Sequence, residues 1–198
     1  MFYTRMFFVR ALSVSLFVAL YTINVRADVD SGPAVGDKLP ELKIAVLTSP
    51  LEGKEIDQVA ERKGKATIYL LVSGERFARP VARFMKTLDG KMKDAGDDAH
   101  IVAVWLTDDQ DKTKEYLPKV QQSLQLDKTS LAVHPGTKGG PTGWGVNDEA
   151  HLTVVVGDGE KVAARWGFVS VNETNVPDVL EAFKKLADAK SAEKKTDK

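Results

Sequence analysis

Residues 69–90 read YLLVSGERFARPVARFMKTLDG and join two different periodicities. Tyr69, Leu70, Leu71 and Val72 form the unbroken apolar run expected of a strand buried on both faces. After Ser73-Gly74 the pattern changes. Val81, Phe84, Met85, Leu88 and Met92 recur at helical spacing and share one face. Pro80 suits a first helical turn, where its missing N–H costs nothing. Arg83, Lys86, Asp89 and Lys93 fall on the other face, and Gly90 weakens the pattern slightly. A strand running into a helix is where many α/β proteins place reactive or anion-binding groups, because a helix N-terminus offers unpaired N–H donors. This junction holds Glu75, Arg76, Phe77, Ala78 and Arg79, with no nucleophile stronger than Ser73.

Working outward, Leu42, Ile44 and Val46 alternate as in a strand, and LEGKEI (51–56) reads as a turn into a second one. One or two helical turns fit between Ile56 and Arg62. Ile101 to Leu106 is another buried strand. Asp108 and its neighbours offer N-caps for a helix over about 110–124, which Pro118 should kink or break. Ser130 to Val133 is a short strand. HPGTKGGPTGWG (134–145) is a loop by composition. Leu152 to Val156 and Lys161 to Phe168 flank the turn GDGE as a hairpin. A last helix, capped by Asn175, spans about 176–189. The charged residues 189–198 read as a disordered tail, and the small, polar residues 28–37 as a flexible lead-in. Strands alternating with helices, then a hairpin and a helix, predict an α/β fold with a mixed sheet covered on both faces.

The chain has 198 residues, 43% of them hydrophobic, enough for one domain with its own core. Residues 1–27 read as a signal peptide, with Arg5 and Arg10 near an apolar run and Val25-Arg26-Ala27 as a cleavage site. An uncleaved N-terminal membrane anchor is the alternative. That leader carries three arginines and no acid, leaving 25 Lys+Arg against 28 Asp+Glu. So near-neutral a balance gives no reason to expect nucleic acid or, after cleavage, a membrane surface as partner. The chain has no cysteine, which excludes thiol redox chemistry, Cys-ligated metals and cysteine nucleophiles. No cofactor or metal is expected.

Several segments together resemble one family. VGDKLPELKI (35–44) with LEGKEI, GKATIYLLVS (64–73) and GWGVNDEAHLTVVVGDGEKVAARWGF (143–168) stand in the order and spacing of the thioredoxin-like fold. They are similar to its exported redoxin branch, related to thioredoxins and peroxiredoxins. The resemblance implies a three-layer α/β sandwich over residues 38–188, ending in a β-hairpin plus helix. It also implies that the Cys-x-x-Cys positions fall on Arg76, Phe77, Ala78 and Arg79, and that the cis-proline position falls near Ala150. Both hallmarks are missing, because no proline occurs between Pro141 and Pro177. Disulfide exchange and peroxide reduction need a thiolate, so the resemblance implies the fold without the redox function.

The candidate binding residues are then Glu75, Arg76, Phe77 and Arg79 at the helix start, His134 and Trp144 in the Gly-rich loop, and Ala150 and His151 before the hairpin. The arginines could form a carboxylate site with helix N–H donors, or a surface ion-pair cluster. The histidines could complete a hydrolytic or metal site, or simply pack, and His100 looks incidental. Trp144 could meet a partner from a partly exposed position or anchor its loop, whereas Trp105 and Trp166 read as core. The expected role is a protein- or peptide-binding module in the cell envelope, its face formed by the helix start at 75–80, the 134–145 loop and residues 147–152. The alternatives are a non-thiol enzyme or anion-binding protein using Arg76, Arg79 and a histidine, and a membrane-anchored structural subunit.

Overall fold

The computed structural model describes residues 29–48, 51–96 and 98–196, so the proposed leader 1–27 lies outside the described residues. The elements are β1 (Lys43–Val46), β2 (Glu55–Asp57), α1 (Gln58–Glu61), β3 (Thr67–Ser73), α2 (Arg79–Met92), β4 (His100–Leu106), α3 (Gln110–Leu124), β5 (Thr129–Val133), β6 (Leu152–Gly157), β7 (Val162–Phe168) and α4 (Val176–Thr196). The strands form one mixed sheet in the order β2-β1-β5-β4-β3-β6-β7. β3, β4 and β5 run parallel; β6 pairs antiparallel with β3 and β7 antiparallel with β6 on one side, and β1 pairs antiparallel with β5 and β2 antiparallel with β1 on the other.

β3 is central, and its alternating side chains divide the core. Ile68, Leu70 and Val72 point toward α2, α3 and α4. Tyr69 and Leu71 point toward α1, the segment around Leu39–Leu42 and Trp144. All five apolar residues of the α2 stripe are buried to 1% exposure or less, each contributing roughly 1.5–3 kcal/mol by transfer. Asp89 departs from its expected polar face and is buried. Its carboxylate accepts from the Asp127 and Lys128 N–H groups and the Thr129 hydroxyl, at 3.0, 2.9 and 2.7 Å, fixing the start of β5.

Four expectations need correction. α3 runs through Pro118 without a break, because Leu117 and Val120 on either side of it are buried in the helical core, offsetting the lost hydrogen bond. The lead-in is not loose over 29–37. Val29 N–H donates to Gly167 O, Gly32 N–H to Gly145 O and Gly36 N–H to Val162 O, and Ser31 is buried against Thr153 at 2.6 Å. Gly32 serves close approach, since a Cβ there would lie 3.2 Å from the Val155 side chain, and Gly167 on β7 admits the lead-in, because a Cβ on it would lie 2.5 Å from the Val29 carbonyl oxygen. The tail is helical through Thr196, since its Ala, Lys and Glu residues favour helix and Lys190 reaches Asp158 at 2.8 Å. Finally, Asn175, expected to cap the last helix, ends a separate 3-10 turn over Glu173–Asn175 that Asn172 caps ahead of α4. Asn175 completes that capping box by accepting from the Asn172 N–H.

Candidate binding site

β3 ends at Ser73, and Gly74 follows beneath the neighbouring strand, its N–H donating to Leu106 O at 2.9 Å. The Arg76 N–H closes the turn on Ser73 O. α2 begins only at Arg79, with Ala78 extended at the N-cap and Pro80 in the first turn. Glu75 and Arg76 therefore stand in a turn ahead of the helix, not at its start as expected.

This turn sends its side chains in two directions. The Arg76 guanidinium donates to the Glu149 carbonyl, linking the turn to the loop that ends at Ala150. Glu75 pairs with Lys138 at 2.8 Å, and Lys138 also lies 3.8 Å from Asp108. The hydrogen bond to Glu75, reinforced by the charges of Glu75, Asp108 and Asp148, holds the Lys138 ammonium above its usual pKa. Between the turn and the loop lies a cleft of about 420 Å³. Leu71, Leu106, Val146 and Ala150 supply its apolar surface, while Ser73, Glu75, Arg76, Lys138, Asn147 and Asp148 supply polar groups.

Phe77 and Arg79 face the other way. The Phe77 ring meets Trp105 edge-on at 5.0 Å between centroids and Tyr116 at 6.4 Å. Arg79 lines a separate groove between α2 and α3. The two arginines thus share no pocket, which removes the joint carboxylate site anticipated for them.

The loop wall of the cleft is held from behind. Trp144 is fully buried, donates its indole N–H to Glu41 O at 3.1 Å and packs edge-on against Tyr69. Its role is anchoring, because the groove behind the sheet accepts the whole ring. Asn147 N–H donates to the Ser31 hydroxyl at 2.9 Å, and the Asn147 side-chain oxygen accepts from Glu149 N–H. His134 and His151 do not line the cleft. His134 Nδ1 lies 3.1 Å from the Lys43 carbonyl oxygen. The His151 backbone bridges Ser73 and Phe168. Of the expected residues, then, Glu75, Arg76 and Ala150 come together, and Phe77, Arg79, His134, Trp144 and His151 stand elsewhere.

Lys138 falls in the 134–145 loop and Asn147 and Asp148 in the segment 147–152, both expected in the binding face, whereas Val146 was not anticipated. Lys138 is the one charged residue in the Gly/Pro-rich stretch 134–145. Chemically, the cleft offers an apolar surface, cationic and amide donors and two carboxylates. Ser73 has no histidine beside it in the cleft lining to act as a base. Among the described residues no three His, Asp or Glu side chains gather as a metal ligand set.

No protein-family model matches the chain. No curated protein matches it either. Its fold is similar to several solved structures. A candidate protein disulfide isomerase from Bacteroides thetaiotaomicron shares 15% identity at a TM-score of 0.60, over 81% of this chain and 95% of that one. A secreted thiol-disulfide isomerase from Corynebacterium glutamicum shares 16% identity at 0.53, over 76% and 85%. The exposed lipoprotein thioredoxin of Streptococcus pneumoniae shares 17% at 0.51, over 74% and 99%. Identities this low speak to the fold alone. With seven strands in this order, α2, α3 and α4 on one face, α1 on the other and no cysteine in its 198 residues, the chain is a cysteine-free protein of the thioredoxin-like fold.

Proposed function

We propose that the protein is a binding module of the cell envelope, holding a protein or peptide segment in the cleft between the β3–α2 turn and the 146–150 loop. The observation that carries this reading is the cleft's composition. An apolar surface formed by Leu71, Leu106, Val146 and Ala150 is bordered by donors and acceptors from Arg76, Lys138 and Asn147, the mixture that recognises a side chain together with its polar backbone. Envelope location draws on the leader-like composition of residues 1–27 and on the secreted and surface-exposed fold relatives. Among the described residues no helix is long and apolar enough to cross a membrane. The non-thiol enzyme reading loses support, since Arg76 and Arg79 diverge and neither histidine lines the cleft.

The test uses the full chain as bait in an envelope extract of the source cell, beside Ala150→Arg, which fills the cleft, and Arg76→Ala, which releases the Glu149 carbonyl. Each bait is first checked for a cooperative melt. A partner held by the wild type and lost by Ala150→Arg supports the cleft. Equal retention by all three moves the site away from it.

A further inference from the structure

Beyond the cleft, on the far side of the Glu75–Phe77 turn, lies a second depression of about 440 Å³ between α2 and α3. Phe77, Ala82, Tyr116 and Leu124 give it an apolar lining, Arg79 and Lys119 are its charged members, and no carboxylate lines it. Tyr116 is 46% exposed, one of three large apolar side chains so exposed among the described residues. Its two cations face no carboxylate within the groove. Arg76, Arg83 and Lys138 all find oxygen partners, at Glu149, Glu173 and Glu75. Neither Arg79 nor Lys119 is in an ion pair among the described residues. The first turn of α2 has no acidic residue and no side-chain cap, so Arg79 adds positive charge where the helix dipole already places it.

We propose that this groove docks an acidic, apolar peptide segment of a partner protein. An aromatic or aliphatic side chain sits among Phe77, Tyr116 and Leu124, and a neighbouring Asp or Glu meets Arg79 and Lys119. The groove favours a peptide over an anionic bilayer for two reasons. Its volume suits one or two side chains, and α3 carries Asp111 and Glu115 among its lysines, which breaks up the broad basic field that a lipid surface requires. Two cations beside an apolar trough are complementary to a mixed acidic and apolar sequence. This surface is distinct from the cleft and does not depend on the cleft being occupied.

The experiment is fluorescence anisotropy with the full chain and a labelled short peptide alternating Phe with Asp, beside its Asn-containing counterpart. The acidic peptide is expected to bind, with the Asn peptide, Arg79→Glu and Lys119→Glu each weakening the complex about tenfold, the size of one lost charged contact. Tyr116→Ser weakens it comparably, and Ala150→Arg leaves it unchanged. All variants are first matched for melting behaviour. Equal binding of the Asn peptide overturns the proposal, because the groove is then an undiscriminating apolar patch. Loss of binding in Ala150→Arg but not in the two charge reversals overturns it in favour of the cleft. Absence of peptide binding overturns it outright. If phosphatidylglycerol vesicles then sediment the wild type but not Arg79→Glu, the groove is a lipid contact instead.

Discussion

One face of the sheet is covered by α2, α3 and α4, which interlock with the strands through regularly spaced apolar residues such as Val81, Phe84 and Leu88. The opposite face is covered by little regular structure. There, α1, the residues from Leu39 to Leu42 and the loop carrying Trp144 lie over Tyr69, Leu71, Val102 and Val104. The two faces are equally dry, yet they are held by different means. On the helical face, order follows from periodicity and many equivalent contacts. On the loop face, order depends on a few large or hydrogen-bonded residues, and the wall of the candidate cleft is built on those few. The loop face should therefore fail locally under single substitutions that the helical face would register only as a global loss.

The largest expected effect tests that difference directly. Trp144→Ala removes a fully buried ring and its hydrogen bond to Glu41, and should cost about 3–5 kcal/mol. Phe84→Ala on the helical face should cost a similar amount. Denaturant titrations combined with amide exchange separate the two. In Trp144→Ala, the loop amides of Gly140, Trp144 and Ala150 should lose protection beyond the global change. In Phe84→Ala, loop and sheet should lose protection together. Parallel behaviour in both variants would break the comparison.

The same contrast explains how much the sequence disclosed. Helix α2 was legible because Val81, Phe84, Met85, Leu88 and Met92 share a stripe that admits one reading, and β3 because its apolar run is too short for a helix and flanked by glycines. The hairpin announced itself through its turn. The packing of the lead-in and of the Gly/Pro-rich loop was not legible. Ser31, Gly32 and Gly145 look like flexible composition, and only the tertiary contacts reveal that Ser31 and Gly32 lie close against β6 and that the Gly145 carbonyl accepts from the Gly32 N–H. Asp89 was misread for a related reason, since a carboxylate can be buried wherever three donors converge on it, and donors from residues 127–129 are far away in sequence. Trp144 was ambiguous because loop composition does not say what lies beneath a loop. The cleft shares this limit in part: the segments on both its sides were anticipated, but not which of their side chains line it.

Acid should also act through the loop face. His100 Nε2 lies 3.1 Å from the Ser130 hydroxyl. Burial, aided by the positive charges of Arg62 and Lys128, pushes its pKa down to about 4 from 6.5. The folded chain therefore keeps the ring neutral while the unfolded chain takes up a proton below pH 6.5. Stability contributed this way is intact above pH 6.5 and lost as the pH falls toward 4, by roughly 2–3 kcal/mol. Urea titrations across that interval should show the decline, and His100→Gln should flatten it. An unchanged slope in the variant would assign the acid sensitivity elsewhere. Asp158 would not supply it over that interval, because a carboxylate with a lowered pKa gives up its stabilising contacts only below the ordinary carboxylate range. Its pKa is lowered, against a desolvation penalty, by hydrogen bonds from Lys190, Lys161 and Glu160.

The smallest effect should be the most informative about the cleft. Ser31 is buried between two partners: its hydroxyl meets Thr153 at 2.6 Å and accepts from Asn147 N–H at 2.9 Å. Ser31→Ala deletes both contacts and strands a fully buried Thr153 hydroxyl, at a cost of about 1–2 kcal/mol. A purely structural serine would lower the melting temperature and do nothing more. If the lead-in instead holds the cleft wall in place, the loss should concentrate at Asn147, Glu149 and Ala150. Amide exchange there should quicken, and any partner captured through the cleft should bind more weakly than the loss in stability accounts for. Ser31→Thr keeps the hydroxyl and should rescue binding if the added methyl is tolerated against β6. A variant that melts lower yet keeps the 147–150 amides protected would show that the Arg76–Glu149 link alone sets the wall, reducing the lead-in to a staple for the β6–β7 hairpin.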